Sequence, residues 1–340
     1  MPTRNRATEL KQGIQNALGQ IGIEFELVLS DNASTDATES ICREVAAEDA
    51  RIRFFRQNRL LGLYQHHNFC IEQARGRYLG FFHDHDRHLP EFTKRCLEFM
   101  EANPSVGLVG TDWRMENDQG ECLGERRFRI PEVEPGQRYV ERTIRSGRSS
   151  VAIPGALIRR EALGKHRLGG AKGFGDFKLW FRIAEDWNIG HLKEVLWTMR
   201  QSADAQSATT ILQMTADYLA NIETYLNDFQ KRKPREKGWV DARRKNARKF
   251  VFWSLIFEKV LQSQKTMKRR SNQTLFQMYG YRLSQSEIQE LNVRMREFAP
   301  PGAAFLLRFL SNKSFGGAFE KILRPFLGLP ELSRRFLRLN

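Results

Sequence analysis

Short apolar runs alternate with helical patterns through the first 110 residues, and few folds accept such a chain. Residues 25–30 (FELVLS), 52–55, 78–82 (YLGFF) and 106–110 read as strands. Residues 7–18, a stretch through Ile41, Val45 and Ala46, residues 64–74 and residues 90–101 carry helical spacing. Asp36 and Glu39 stand at capping-box spacing before the second of these helices. Parallel neighbours need a long crossover, usually a helix. The repetition therefore predicts an α/β domain with a mostly parallel sheet flanked by helices. Residues 111–150 are less regular, with a hairpin expected around 117–120, while 176–184 read as a helix and 189–199 as a closing strand.

In such sheets ligands bind in the crevice beyond the carboxyl ends of the strands. Asp31-Asn32-Ala33-Ser34-Thr35-Asp36 follows the first strand, Gln57-Asn58 the second and Asp84-His85-Asp86 the third, so all three should open on one edge. Residues two apart in an extended segment share a side, which lets Asp84 and Asp86 face one divalent cation. Oxygen ligands with open positions suit Mg²⁺ or Mn²⁺. An isolated DxD is most often a solvated acidic turn; its place beside two other strand-end clusters argues for a site. N-capping accounts for Ser34 and Asp36, and the same helix start could hold an anion. Capping leaves Asp31 and Asn32, which come earlier, without a reason. His66, His67, His83, His85 and His88 crowd this region without zinc-motif spacing, so packed or solvated histidines are expected.

Charge divides the chain. Residues 204–340 carry 25 Lys and Arg against 12 Asp and Glu, a net of +13 out of the total of +15. A boundary is expected near 205, with residues 1–204 as the α/β domain and 205–340 as a basic, all-helical extension. Helical stripes run through 211–229 and 250–261, with the basic segment 231–249 as a link and an apolar, basic tail at 305–329. Basic amphipathic helices with aromatics favour an anionic membrane surface as a partner. Nucleic acid is disfavoured, because nothing beyond charge points to it. No apolar run reaches 18 residues and no secretory signal opens the chain, so a cytoplasmic setting is expected, peripheral at the inner membrane face. Cys42, Cys70, Cys96 and Cys122 have no metal-type spacing and read as reduced thiols.

Several segments form an ordered set: Pro2-Thr3-Arg4-Asn5-Arg6, then residues 30–38 (SDNASTDAT), then Asn58, Gly62, Asn68, Ala74 and Gly76. Residues 82–92 (FHDHDRHLPEF), Gly175-Asp176 with Leu179, Trp180 and Arg182, and residues 194–200 (EVLWTMR) complete the series. Together they resemble the family 2 glycosyltransferases of the GT-A fold, a Rossmann-like architecture, over roughly residues 1–205. The resemblance implies an inverting sugar transfer from a nucleoside diphosphate sugar, expected to be a UDP-sugar, to a glycan or lipid-linked acceptor in polysaccharide, lipopolysaccharide or glycolipid assembly. Asp31 would contact the base or ribose with Thr3, Arg6 and Asn32 nearby, and Pro2, Asn5, Ser34, Asn58 and Asn68 would belong to the same nucleotide-sugar region. Asp86, helped by Asp84, would hold Mn²⁺ or Mg²⁺ against the diphosphate, Arg200 would add a diphosphate contact, and Asp176 would be the catalytic base. The pattern departs from the family at Arg87, Gly175 and Ser202, which stand where an acid, a glutamate and a histidine are common. The family's first strand precedes the segment matched by residues 2–6, so a gap is expected there in the sheet. Those departures motivate a rival: a non-catalytic, nucleotide-sugar-binding or membrane-associated protein that retains the fold.

Overall fold

The computed structural model describes residues 1–117, 119–170, 174–201, 211–263 and 293. In chain order the elements are β1 (Pro2–Thr3), α1 (Leu10–Leu18), β2 (Leu27–Asp31), α2 (Thr38–Glu48), β3 (Ile52–Arg56), α3 (Leu63–Gln73), β4 (Tyr78–Gly80) and β5 (Arg87–His88). There follow α4 (Phe92–Ala102), β6 (Val106–Asn117), β7 (Cys122–Arg126), β8 (Val133–Glu134), α5 (Gly136–Ser146), β9 (Leu157–Arg159), α6 (Arg160–Leu163), α7 (Gly175–Ala184) and β10 (Asn188–Gln201). Two long helices, α8 (Ile211–Arg232) and α9 (Lys237–Ser263), end the described chain. The hairpin expected near 117–120 is present, with β6 and β7 antiparallel and Glu116 opposite Cys122.

The strands form two sheets. In the first, β1, β2 and β3 are parallel, with Thr3 opposite Asp31 and Asp31 opposite Arg56. The second runs β4-β9-β6-β10-β5, with β7 on β6 and β8 on β10. Its β6–β10 pair is parallel, but every other pair in it is antiparallel. The expected α/β architecture with flanking helices is present, parallel throughout the first sheet and mixed in the second, where the longest ladder is the parallel one. No ladder joins β1 to β4 among the described residues.

Each sheet has a helix-covered core. Leu10, Ile14 and Ala17 of α1 and Cys42 of α2 meet Leu27, Leu29 and Ile52. Phe92, Cys96 and Met100 of α4 meet Val106, Val109 and Trp113 of β6 and Leu192, Leu196 and Trp197 of β10. Three thiols are buried in helices, as expected, and Cys122 is exposed on β7. Burial pushes the Cys42 thiol up to about 12, so it is an inert packing group. Phe92 is fully buried, with ring centroids 4.7 Å from His88 and 6.0 Å from Phe82. Phe92→Ala is expected to cost about 3–5 kcal/mol, read as a lower urea midpoint at unchanged slope.

By compactness the chain divides into two units: Met1–Ala205 with Ala220–Arg243, and Gln206–Leu219 with Arg244–Asn340. In the first unit, Arg232 pairs with Glu185, Arg182 with Asp228, and the Tyr225 ring lies 5.0 Å from that of Phe181. In the second, Tyr218 packs 4.9 Å from Phe250. The basic segment 231–249, expected as a link, is helical from Lys237 onward. The expected apolar tail at 305–329 lies outside the described residues.

Candidate active site

The polar clusters after β2 and β4 do meet. Asp31, the last residue of β2, is fully buried. Its carboxylate accepts from the Ser34 hydroxyl, from the Ser34 N–H at 3.2 Å and from the Arg56 guanidinium. Thr3, opposite Asp31 in the ladder, donates its hydroxyl to Asp84 Oδ2 at 2.7 Å, and Arg6 Nε lies 3.9 Å from Asp84 Oδ1. That one hydroxyl ties the end of the first sheet to the DxD segment. Pro2 pairs with Ser30 beside it.

The loops are laced together around this point. Ser34 Oγ accepts the Asn5 N–H at 2.9 Å, and Asn5 Oδ1 accepts the Thr35 N–H at 2.9 Å. Asn32 holds Leu61 through both of its amide atoms, at 2.8 and 3.0 Å. The expected capping box does not form. α2 starts at Thr38, whose N–H goes to Asp36 Oδ1 at 3.0 Å, while Glu39 is taken by Arg43 and Arg56. Ser34 thus serves the loop and Asp31, several residues before the helix. Asn58 is exposed directly after β3. Asn68 stands apart, its amide spent on both backbone atoms of Leu168, at 2.9 and 3.0 Å.

β4 ends at Gly80, two residues sooner than expected, so Asp84 and Asp86 lie on irregular backbone and face different partners. Asp84 turns to Thr3, Arg6 and His85; Asp86 receives the Arg200 N–H at 3.2 Å and lies 3.3 Å from His83 Nδ1. Both carboxylates are buried. Burial opposes their ionisation, yet His85 and Thr3 beside Asp84, and His83 beside Asp86, hold both below the usual carboxylate value. α1 can approach this segment because residue 13 is glycine: a Cβ there would sit 2.8 Å from the Asp84 Cα.

The histidines divide into two kinds. His66 bonds Ser30 Oγ at 2.9 Å, His67 bonds Leu63 O at 2.8 Å and His88 bonds Pro154 O at 2.7 Å. Burial pushes His66 and His88 down to about 4 and His67 to about 3, so these three are neutral packing groups, as expected. His83 and His85 differ. They join Asp86 in a group whose ligand-type atoms lie within 4.8 Å of one another, a set that leaves out Asp84.

Asp176 stands in the first turn of α7, half-buried, and no hydrogen bond or ion pair joins it to Asp84 or Asp86. Desolvation pushes its carboxyl up to about 6, opposed by its own N–H and that of Phe177. A carboxyl near that value is matched to taking a proton at neutral pH. The glycine before it has a steric reason: the Gly175 N–H donates to Tyr64 Oη at 2.9 Å, and a Cβ at 175 would overlap the Tyr64 ring. Because the folded carboxyl binds its proton more tightly than the unfolded one, the folded state loses stability as pH rises from about 4 to about 6. Asp176→Asn should remove that loss. The gain in melting temperature over wild type should therefore be small near pH 4 and larger at pH 7.

Residues 1–167 match the family model described as Glycosyl transferase family 2. An uncharacterized protein of Mycobacterium tuberculosis, MT1568, is 35% identical over 120 residues, which is 35% of this chain and 36% of that protein. The uncharacterized glycosyltransferase MJ1057 of Methanocaldococcus jannaschii is 21% identical over 257 residues, 73% of this chain and 80% of its own. Among solved structures, S. aureus TarS 1–349 in complex with UDP-GlcNAc aligns with a TM-score of 0.58 at 16% identity, over 92% of this chain and 86% of that one. The mannosyltransferase PcManGT from Pyrobaculum calidifontis, in complex with GDP-Man and Mn²⁺, aligns at 0.53 and 14%, over 87% and 85%. At such identities the structural likeness is one of fold, and the fold is GT-A. Residues 1–167 belong to the family 2 glycosyltransferases.

Proposed function

We propose that this chain is a metal-dependent, inverting glycosyltransferase acting on a nucleoside diphosphate sugar. The observation that carries the reading is the Thr3–Asp84 hydrogen bond at 2.7 Å, which joins the strand end at Asp31 to the segment whose Asp86 accepts the Arg200 N–H. Asp31 and Asn32, with Thr3, Asn5, Arg6 and Ser34 around them, accept the nucleoside. Arg200 meets diphosphate oxygens, which its guanidinium can bind in bidentate fashion. Asp86 would hold a divalent cation, which when bound would supply charge neutralisation of the diphosphate without proton transfer. Asp176 takes the proton of an acceptor hydroxyl as its oxygen bonds to the anomeric carbon and the bond to the diphosphate breaks. TarS bound UDP-GlcNAc and PcManGT bound GDP-Man, which supports a nucleotide sugar as donor; a UDP-sugar is the first to try. Thr3→Val removes the tying hydroxyl while preserving shape, and donor affinity should fall about tenfold, as for a buried hydrogen bond to a charged group. Unchanged affinity by calorimetry would separate the two clusters.

The acceptor proposed is a glycan or lipid-linked saccharide at a membrane surface. No described helix is long and apolar enough to cross a membrane. Lys231, Lys233, Arg235 and Lys237 are exposed around the α8–α9 junction. Each basic residue near an anionic surface contributes about 1 kcal/mol, screened by salt. Cosedimentation with anionic vesicles should exceed that with neutral ones and weaken as salt rises. Equal partition onto both would remove the membrane from the account.

A further inference from the structure

The segment after β4 brings two imidazoles to its two carboxylates, and the pairing separates the carboxylates by role. His85 Nδ1 lies 2.9 Å from Asp84 Oδ1. A carboxylate accepts and does not donate, so Nδ1 carries the proton in that bond. In its neutral form the ring would offer the Nε2 lone pair to a cation, and Nε2 is 4.0 Å from Asp86 Oδ1. On the other side of Asp86, Oδ2 is 3.3 Å from His83 Nδ1, while His83 Nε2 is buried with no hydrogen-bond partner. The two imidazoles stack, with centroids 5.5 Å apart. Ligands held at 2.0–2.2 Å from one ion lie about 3–3.5 Å from each other. The atoms of His83, His85 and Asp86 lie within 4.8 Å of one another, so binding an ion would require them to draw closer.

We propose that His83, His85 and Asp86 are the cation's ligands and that Asp84 orients His85 from outside the coordination sphere. The site then takes a first-row transition ion, Mn²⁺ or Zn²⁺, in preference to Mg²⁺. This rests on the reading above, that the cluster holds a cation against a diphosphate. Imidazole suits transition ions, whereas Mg²⁺ favours oxygen alone. A carboxylate bonded to the far nitrogen of a ligating histidine fixes its tautomer and raises its basicity, and losing it typically costs 10–100-fold in metal affinity. Three protein ligands leave the remaining positions open to diphosphate oxygens.

The test is pulsed electron paramagnetic resonance of Mn²⁺ bound to the full chain with UDP, which reads nitrogen hyperfine couplings on the unaltered protein and needs no variant to fold. The expected spectrum shows imidazole nitrogen coupled to the ion. Calorimetry adds the direction: His83→Ala and His85→Ala should each weaken Mn²⁺ and Zn²⁺ at least about tenfold, Asp84→Ala about 10–100-fold, and Mg²⁺ far less. Bound Mn²⁺ with no nitrogen coupling would overturn the imidazole ligands and leave the cation in place. UDP binding with no Mn²⁺ bound at all would overturn the cation reading itself.

Discussion

Asp86→Ala abolishes cation-dependent binding of a nucleoside diphosphate sugar. Removing an outer carboxylate that orients a metal ligand typically costs 10–100-fold, so loss of a ligand itself should cost about two orders of magnitude or more. Asp86 is the point where the site closes: Arg200, at the end of β10, reaches it through its N–H, and His83 and His85 flank it. Asp84→Ala should be milder, because Asp84 meets Thr3, Arg6 and His85 and lies outside the group of ligand-type atoms. Both variants are read by titrating the donor with and without Mn²⁺. Metal-dependent affinity in Asp86→Ala equal to that of wild type would contradict the assignment.

Asp176→Asn lowers turnover by about 10²-fold or more and leaves donor affinity nearly intact, the size and sign of a lost general base. The wild-type rate should rise with pH and level off above about 6, where the Asp176 carboxyl has lost its proton. The variant should lack that rise. The split between rate and affinity makes this a sharp test, since a residue that bound the donor would carry affinity with it. A variant with collapsed affinity and a residual rate near wild type would make Asp176 a binding group.

Much of the first unit was legible because its signals are local. Strands and helices through residue 110 follow from apolar spacing, and the clusters at Asp31 and Asp84 follow strands directly. Strand direction was not legible beyond that point. β5 and β9, of two and three residues, take their direction from the β10, β4 and β6 strands they meet. The same-side rule for Asp84 and Asp86 failed for a related reason: it holds for extended backbone, and β4 ends before them. Arg56 went unnoticed as a partner of Asp31, although a basic residue closing the neighbouring strand was a signal available to reading. Gly175 departs from the motif for a reason that is not local: Tyr64, 111 positions away, fills the space a side chain would need. His83 and His85 resembled their packed neighbours in sequence, and their arrangement around Asp86 separates them.

The central claim is that this cluster binds a nucleotide sugar through a cation. It is tested most directly by calorimetric titration of the unaltered chain with a panel of UDP- and GDP-sugars, each with Mn²⁺ and with chelator. The account predicts that at least one donor binds with Mn²⁺ and loses most of its affinity on chelation. Binding that is equal in both conditions, or no binding across the panel, would contradict it.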